Sequence, residues 1–390
     1  MSTDPFLIGW AHTVFGKTAP EITVEDLMAE VSGAAVADAG LSADDVDAAF
    51  VGVFNSGFSR QSFEAALLGA GRPELARVPA ARQENACATG SAALHAAMDH
   101  IQSGRGRVAL VVGAEKMTGV GAEVVNDALL GASYRRTEED AGSFAAIFGR
   151  LADIYADRYG DPRVALAQIA AKNHRNGVAN PWAQMRRDLG FEFCSAPSEK
   201  NPVTAGRLLR TDCSLVSDGA AALVVASADI ARSARRRVRV AARAHANDVF
   251  AVANREDPIA FDGARRAFGR ALADAGIGLD GLDLIETHDC FTLAELIQYE
   301  AFGLAEPGKG ATVLAEGVTD RDGRLPVNVS GGLKSKGHPV GATGVSQHVM
   351  AALQLTGEAG DMQLPKADRA AVFNMGGAAV ANYASVLEVA

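Results

Sequence analysis

Apolar positions along the chain follow two patterns. Runs such as RVALVVGA from Arg107, GAAALVVAS from Gly219 and RAAVFNMG from Arg369 are nearly unbroken, and read as strands buried on both faces. Segments such as AVADAGLSADD from Ala35 and ALADAGIGLDG from Ala271 carry a helical period and close on glycine, at Gly40 and Gly276. The two patterns alternate through most of the sequence. That alternation predicts α/β layers built on a mostly parallel sheet.

The elements also repeat. Ala35–Gly52 resembles Ala271–His288, each a helix, a turn and a buried strand. CATGSAALHAAM from Cys87 resembles GATGVSQHVMAA from Gly341, RVALVVGA resembles RAAVFNMG, and GAAALVVAS resembles GAAVANYAS from Gly377. Alanine-rich segments align by chance, but four matches in one order imply two similar halves. The first half is longer by an insertion. The expected division is residues 1–117 with 215–235 as the first half, 118–214 as an inserted loop domain, and 236–390 as the second half. The insertion is richer in charge and contains two strong loop signals, NPW at Asn180 and APSEKNP at Ala196. ARSARRRVRVAARA, residues 231–244, reads as a solvated linker entering an edge strand.

Composition narrows the function. Aromatics are only 6% of residues, so core density must come from close backbone approach more than from large rings. The net charge of −10 argues against a general nucleic-acid binder. No run of apolar residues is long enough to suggest a membrane span. Four cysteines, Cys87, Cys194, Cys213 and Cys290, make neither a disulfide framework nor a zinc spacing, and no signal peptide is evident. A reducing, cytoplasmic setting is expected.

Four stretches carry candidate chemistry. In ENACATGSAALHAA, Cys87 stands where a loop enters a helix. Unpaired N–H groups and the helix dipole there favour a thiolate, although a free cysteine is more often a buried structural one. VNVSGGLKSKGHPVGATG, residues 327–344, reads as a glycine-rich loop that aims His338. An exposed surface histidine is the alternative. The repeat pairs Gly341 with Cys87, which would bring His338 towards the thiol as an activating base. ETHDCF places His288 and Cys290 at the exit of a strand, before a helix capped near Thr292 with Glu295 three positions on. Last, a strand through Asn374 ends in Met375-Gly376-Gly377. Either this is a plain hairpin turn, or the N–H of Gly376, with that of Cys87, receives a developing oxyanion.

Together these pieces resemble the thiolase superfamily over nearly the whole chain. NACATGSAA, VVGAEKM, the Lys172-Asn173-His174 and Asn180-Pro181 pair, SDGAAALVVAS, HDCF, GGLKSKGHPVGATG and NMGGA carry the resemblance. HDCF points to the sterol-carrier-protein-type subgroup. The resemblance implies a five-layered α/β/α/β/α fold of two similar halves. It implies coenzyme A thioesters as substrates with no bound cofactor or metal, and a homodimer or tetramer. Some relatives require a small zinc-ribbon/OB-fold partner. It further implies that Cys87 carries the acyl group, that His338 activates it, that His338 and His288 face an enolate oxygen, and that Cys290 moves the α-proton. Ser214 falls near a serine that touches the pantetheine arm in other thiolases. The sequence departs from the best-known thiolases at their C-terminal CxGGG cysteine, whose place Asn374 takes. The expected activity is therefore formation or cleavage of a 3-ketoacyl-CoA. An acyltransferase or aldolase with another acceptor, or a non-catalytic acyl-CoA-binding subunit, remains as an alternative.

Overall fold

The computed structural model describes residues 4–390. Its strands are β1 Pro5–His12, β2 Ala48–Gly52, β3 Ala80–Gln83, β4 Val108–Glu115, β5 Val203–Ala205, β6 Leu208–Leu209, β7 Gly219–Ser227, β8 Val238–Asn247, β9 Leu284–Glu286, β10 Arg369–Gly376 and β11 Ala381–Val389. β5 and β6 form a small hairpin. The others join in the order β3-β2-β4-β7-β1-β8-β11-β10-β9.

The two halves meet at β1 and β8, and their strand orders mirror each other across that seam. β9 makes a parallel bridge through Ile285 to Val327, which answers the β2–β3 pair of the first half. The expectation of a mostly parallel sheet is corrected. Only β2–β3, β2–β4 and β9–β10 are parallel, and the remaining neighbours run antiparallel. An apolar run reports burial on both faces and carries no information about strand direction. The arginine-rich segment is also corrected. It feeds β8, a central strand, and Arg236 is held between Asp38 and Glu358 with its guanidinium 3.9 Å above the Trp10 ring.

Side chains alternate across the layers. On β4, Ala109 and Val111 face a central core, while Leu110 and Val112 face an outer one. On β10, Ala370 and Val372 face the same central core, and Ala371 and Phe373 face the opposite outer one. Helices Thr89–Gln102 and Thr343–Leu355 form the central layer. Helix Val24–Asp38 covers the first half, and helices Asp262–Ala275 and Thr292–Ala301 cover the second. This is the five-layered α/β/α/β/α arrangement.

The central helices explain the run of small residues after Cys87. A Cβ added at Gly90 would lie 2.8 Å from Val345 N, and one at Gly344 would lie 2.3 Å from Ser91 N. The helices therefore touch backbone to backbone, which only glycine permits at these positions. That contact sets the two helix starts, and the loops before them, side by side.

Residues 118–214 contain helices Ala122–Leu130, Phe144–Tyr159 and Arg163–Gly177 and the β5–β6 hairpin. Phe148, Leu151 and Leu166 share one core cluster with Leu293 and Leu296, so this region packs on the outer face of the second half.

Candidate active site

Cys87 sits on a tight turn. Ala86 has φ of +49°, a left-handed conformation unfavourable for a residue with a Cβ. The turn is closed by Ala88 N–H donating to Asn85 O and by Asn85 N–H donating to Thr89 Oγ1. The helix begins at Thr89, two residues beyond the thiol. The expectation of a thiolate favoured by the helix start is corrected: burial pushes the Cys87 thiol up to about 12, with Glu115 and Glu84 adding to the rise. A backbone hydrogen bond from Gly377 to the sulfur offsets only part of this.

His338 and His288 come to the same place. The Cys87 sulfur and one ring nitrogen of each imidazole lie within 4.8 Å of one another. The two rings meet edge to face at 5.1 Å. His338 is buried, not exposed, and its segment is not wholly loop: it includes a short helix, Gly332–Lys336. Burial, with Lys336 nearby, pushes the His338 imidazole down to about 3. Burial beside His338 likewise holds His288 well below its ordinary value. Both rings are neutral at physiological pH.

Their neighbours give them opposite tautomers. With Thr343 Oγ1 donating to Pro339 O at 3.0 Å, it accepts from His338 Nδ1 at 2.6 Å. The proton is then on Nδ1, and Nε2 presents a lone pair. Asn374 Nδ2 donates to His288 Nδ1 at 2.8 Å and to Cys87 O at 3.0 Å. The proton of His288 is then on Nε2. Both Nε2 atoms are buried and otherwise unpartnered. One is a base, the other a donor. The same three groups, Cys87, His288 and His338, have the composition of a zinc site, but a His288 Nε2 that carries a proton is a donor and not a ligand.

Cys290 and Ser214 complete the enclosure. Both line one cavity with Cys87 and His338, and Ser214 N–H donates to Cys290 O at 2.8 Å. Burial and the nearby Cys87 hold the Cys290 thiol well above its ordinary value. The helix after it starts at Thr292 itself, with Phe291 at the cap. The expected capping box is thus corrected. Thr292 Oγ1 donates to Asp212, and Glu295 binds Lys172 instead. Gly376 ends β10, and the Gly376-Gly377 segment is both the β10–β11 hairpin turn and a neighbour of the thiol.

Residues that sequence reasoning missed hold this arrangement. The Glu115 carboxylate accepts N–H bonds from Phe54, Asn55 and Gly341 at 2.9–3.0 Å. It thereby ties the end of β4 to the turn that precedes the second central helix. Asp289 accepts from Leu333 N and Lys334 N, which fixes the segment leading to His338. Glu115 and Asp289 each lie in a motif noted for its family likeness, VVGAEKM and HDCF, but nothing local in the sequence marks either carboxylate as a backbone anchor.

Comparison with known proteins gives concordant results. The pattern "Thiolase, N-terminal domain" matches residues 6–189, and "Thiolase C-terminal domain-like" matches residues 244–389. Acetyl-CoA acetyltransferase of Methanothermobacter thermautotrophicus is 35% identical, covering 96% of each chain. Human sterol carrier protein 2 is 33% identical over 95% of this chain and 69% of its own length. Among solved structures, the Ltp2-ChsH2(DUF35) aldolase superposes with a TM-score of 0.83 at 20% identity, covering 100% of this chain and 98% of that one. Human mitochondrial 3-ketoacyl-CoA thiolase superposes at 0.74 with 18% identity, covering 100% of both.

Proposed function

The chain belongs to the thiolase family, and from that premise we propose that it forms or cleaves 3-ketoacyl-CoA through an acyl-enzyme on Cys87. The observation that carries this reading is the convergence of one buried thiol, Cys87, with a ring nitrogen of each of two buried imidazoles, His288 and His338, all within 4.8 Å of one another.

The steps follow from the proton positions. His338 Nε2 takes the Cys87 proton as the sulfur adds to the thioester carbonyl. The bond to the CoA sulfur breaks, and His338 returns the proton to that sulfur, leaving acyl-Cys87 and free CoA. A second thioester then enters. His338 takes the Cys290 proton, and the Cys290 thiolate removes the α-proton. The resulting carbon attacks the acyl carbonyl, and Cys87 leaves and recovers its proton from His338. His288 Nε2–H faces the enolate oxygen. The N–H groups of Cys87 and Gly376 face the acyl oxygen. A donor of this kind is worth about 3 kcal/mol of barrier. Asn374, in place of the usual cysteine, orients His288, and Ser214 sits where a pantetheine arm passes. Thiolysis is the reverse path.

Intact-mass measurement after incubation with acetyl-CoA tests the reading. One acetyl adduct is expected, and it should vanish in Cys87→Ser. An adduct that persists in that variant would sink the assignment. The assembly expected with this reading is a homodimer: among the described residues β3 pairs only with β2, and its exposed edge leads directly into the turn of Cys87. Light scattering of the purified chain should give twice the monomer mass.

A further inference from the structure

Residues 214–217 run between the two groups that the reading above gives the α-proton step, Cys290 and His338. At one end Ser214 N–H donates to Cys290 O at 2.8 Å, and Cys213 bridges to Phe291. At the other end the backbone N–H of His338 donates to Ser217 Oγ at 3.0 Å. Between them Leu215 and Val216 line the cavity over Cys87. Ser217 is wholly buried, and its own proton goes to Gln184 Oε1. Gln184, in the inserted region, then closes a clasp. Its N–H donates to Lys336 O at 3.0 Å, and its Nε2 donates to Val216 O at 3.3 Å. Gly337 lets the turn come this close: its φ is +111°, and a Cβ there would lie 2.6 Å from Ser217 Oγ.

His338 is held in different ways from different sides. Thr343 meets the ring at Nδ1 and starts the central helix beside that of Cys87, so it fixes the imidazole against the thiol. Asp289 joins the Cys290 segment to Leu333 and Lys334, several residues short of the imidazole. The strap of residues 214–217 ends on His338 itself. We propose that Ser217 is a positioning residue that sets the spacing between His338 and Cys290, and thereby governs α-proton transfer more than acylation. It acts through the backbone of His338 and takes up no proton from substrate. The proposal rests on the acyl-enzyme reading above and adds a residue to it.

The test reads two steps separately in Ser217→Ala. Intact mass follows acetylation of Cys87 by acetyl-CoA. Deuterium uptake into the acetyl methyl group in heavy water follows the α-proton: the carbon loses a proton to Cys290 and regains a deuteron from it after exchange with solvent. A misplacement of about 1 Å can cost about a hundredfold, so uptake should fall about thirtyfold or more while acetylation stays within about threefold of wild type. Gln184→Leu removes the acceptor of the Ser217 proton from a half-buried side chain, should give the same split in smaller measure, and stands in if Ser217→Ala fails to fold. Equal losses in both steps would reduce Ser217 to a structural role and overturn the proposal. No loss in either step, in folded variants, would overturn it as well. A wild type that forms the adduct but takes up no deuterium would remove the α-proton role of Cys290, and the proposal with it. No adduct on the wild type would overturn the acyl-enzyme itself.

Discussion

At the scale of single residues, the proposed chemistry rests on proton placement and not on a preformed thiolate. Cys87 is pushed up to about 12 and His338 down to about 3, so neither changes charge between about pH 5 and 9. Two pH profiles should therefore differ. Alkylation of Cys87 by iodoacetamide requires free thiolate, and its rate should rise about tenfold per pH unit across that range. Acylation by acetyl-CoA passes the proton to His338 during attack, and its rate should stay nearly flat. Parallel profiles would contradict the tautomer argument. Asn374 offers a sharper case. With Asn374→Ala, His288 loses the group that keeps its proton on Nε2, and Cys87 O loses a donor. Thiolysis of acetoacetyl-CoA should fall about a hundredfold in kcat with little change in KM, the mark of a group acting on the transition state.

At the scale of elements, the decisive contact is between two helices. The internal repeat paired Cys87 with Gly341, and the close approach of Gly90 and Gly344 shows what that pairing does: it lays two helix starts together and delivers His338 to the thiol. This much was legible because helix period, small residues and repeat order are local signals. Strand direction was not legible, nor was the fate of the arginine-rich segment, since both depend on partners distant in sequence. Glu115 shows the same limit. Its carboxylate gathers three backbone N–H groups from two distant segments. Burial raises it from 4.5 to about 7. A raised carboxyl favours the folded state fully below about pH 4.5, and that contribution is lost as pH rises through about 7. In Glu115→Gln the amide N–H₂ must face one of those N–H groups, leaving a buried donor unpaired. Chemical denaturation should show a loss of about 1–3 kcal/mol. The variant should also lack the wild-type decline in stability that this group causes between about pH 5 and 7.

At the scale of the whole molecule, the inserted region and the second half are joined by a buried polar network that also reaches the active site. Lys172, on the inserted helix Arg163–Gly177, binds Glu295 of helix Thr292–Ala301 at 2.6 Å with both side chains essentially out of solvent. Asn173, its neighbour, donates to Glu295 and to Asp289. Asp289 holds the backbone of Leu333 and Lys334, a few residues before His338. A surface reading of Lys172-Asn173-His174 as a solvated helix end would miss this, because helix period does not reveal what packs on the polar side. Removing one charge from such a pair leaves the other buried and alone, so Lys172→Met should cost about 3–5 kcal/mol of unfolding free energy. Replacing both partners, Lys172→Met with Glu295→Leu, should recover part of that loss, because no isolated charge remains. The double variant also separates stability from positioning. Asn173 and Asn328 each donate to Glu295, and both lose that acceptor when it becomes leucine. Asn173 then holds Asp289 less firmly, and through it the segment that aims His338. Stability measured by urea titration should therefore return further towards wild type than kcat does. A variant that regained both together would show that the network serves only to hold the two parts of the chain in contact.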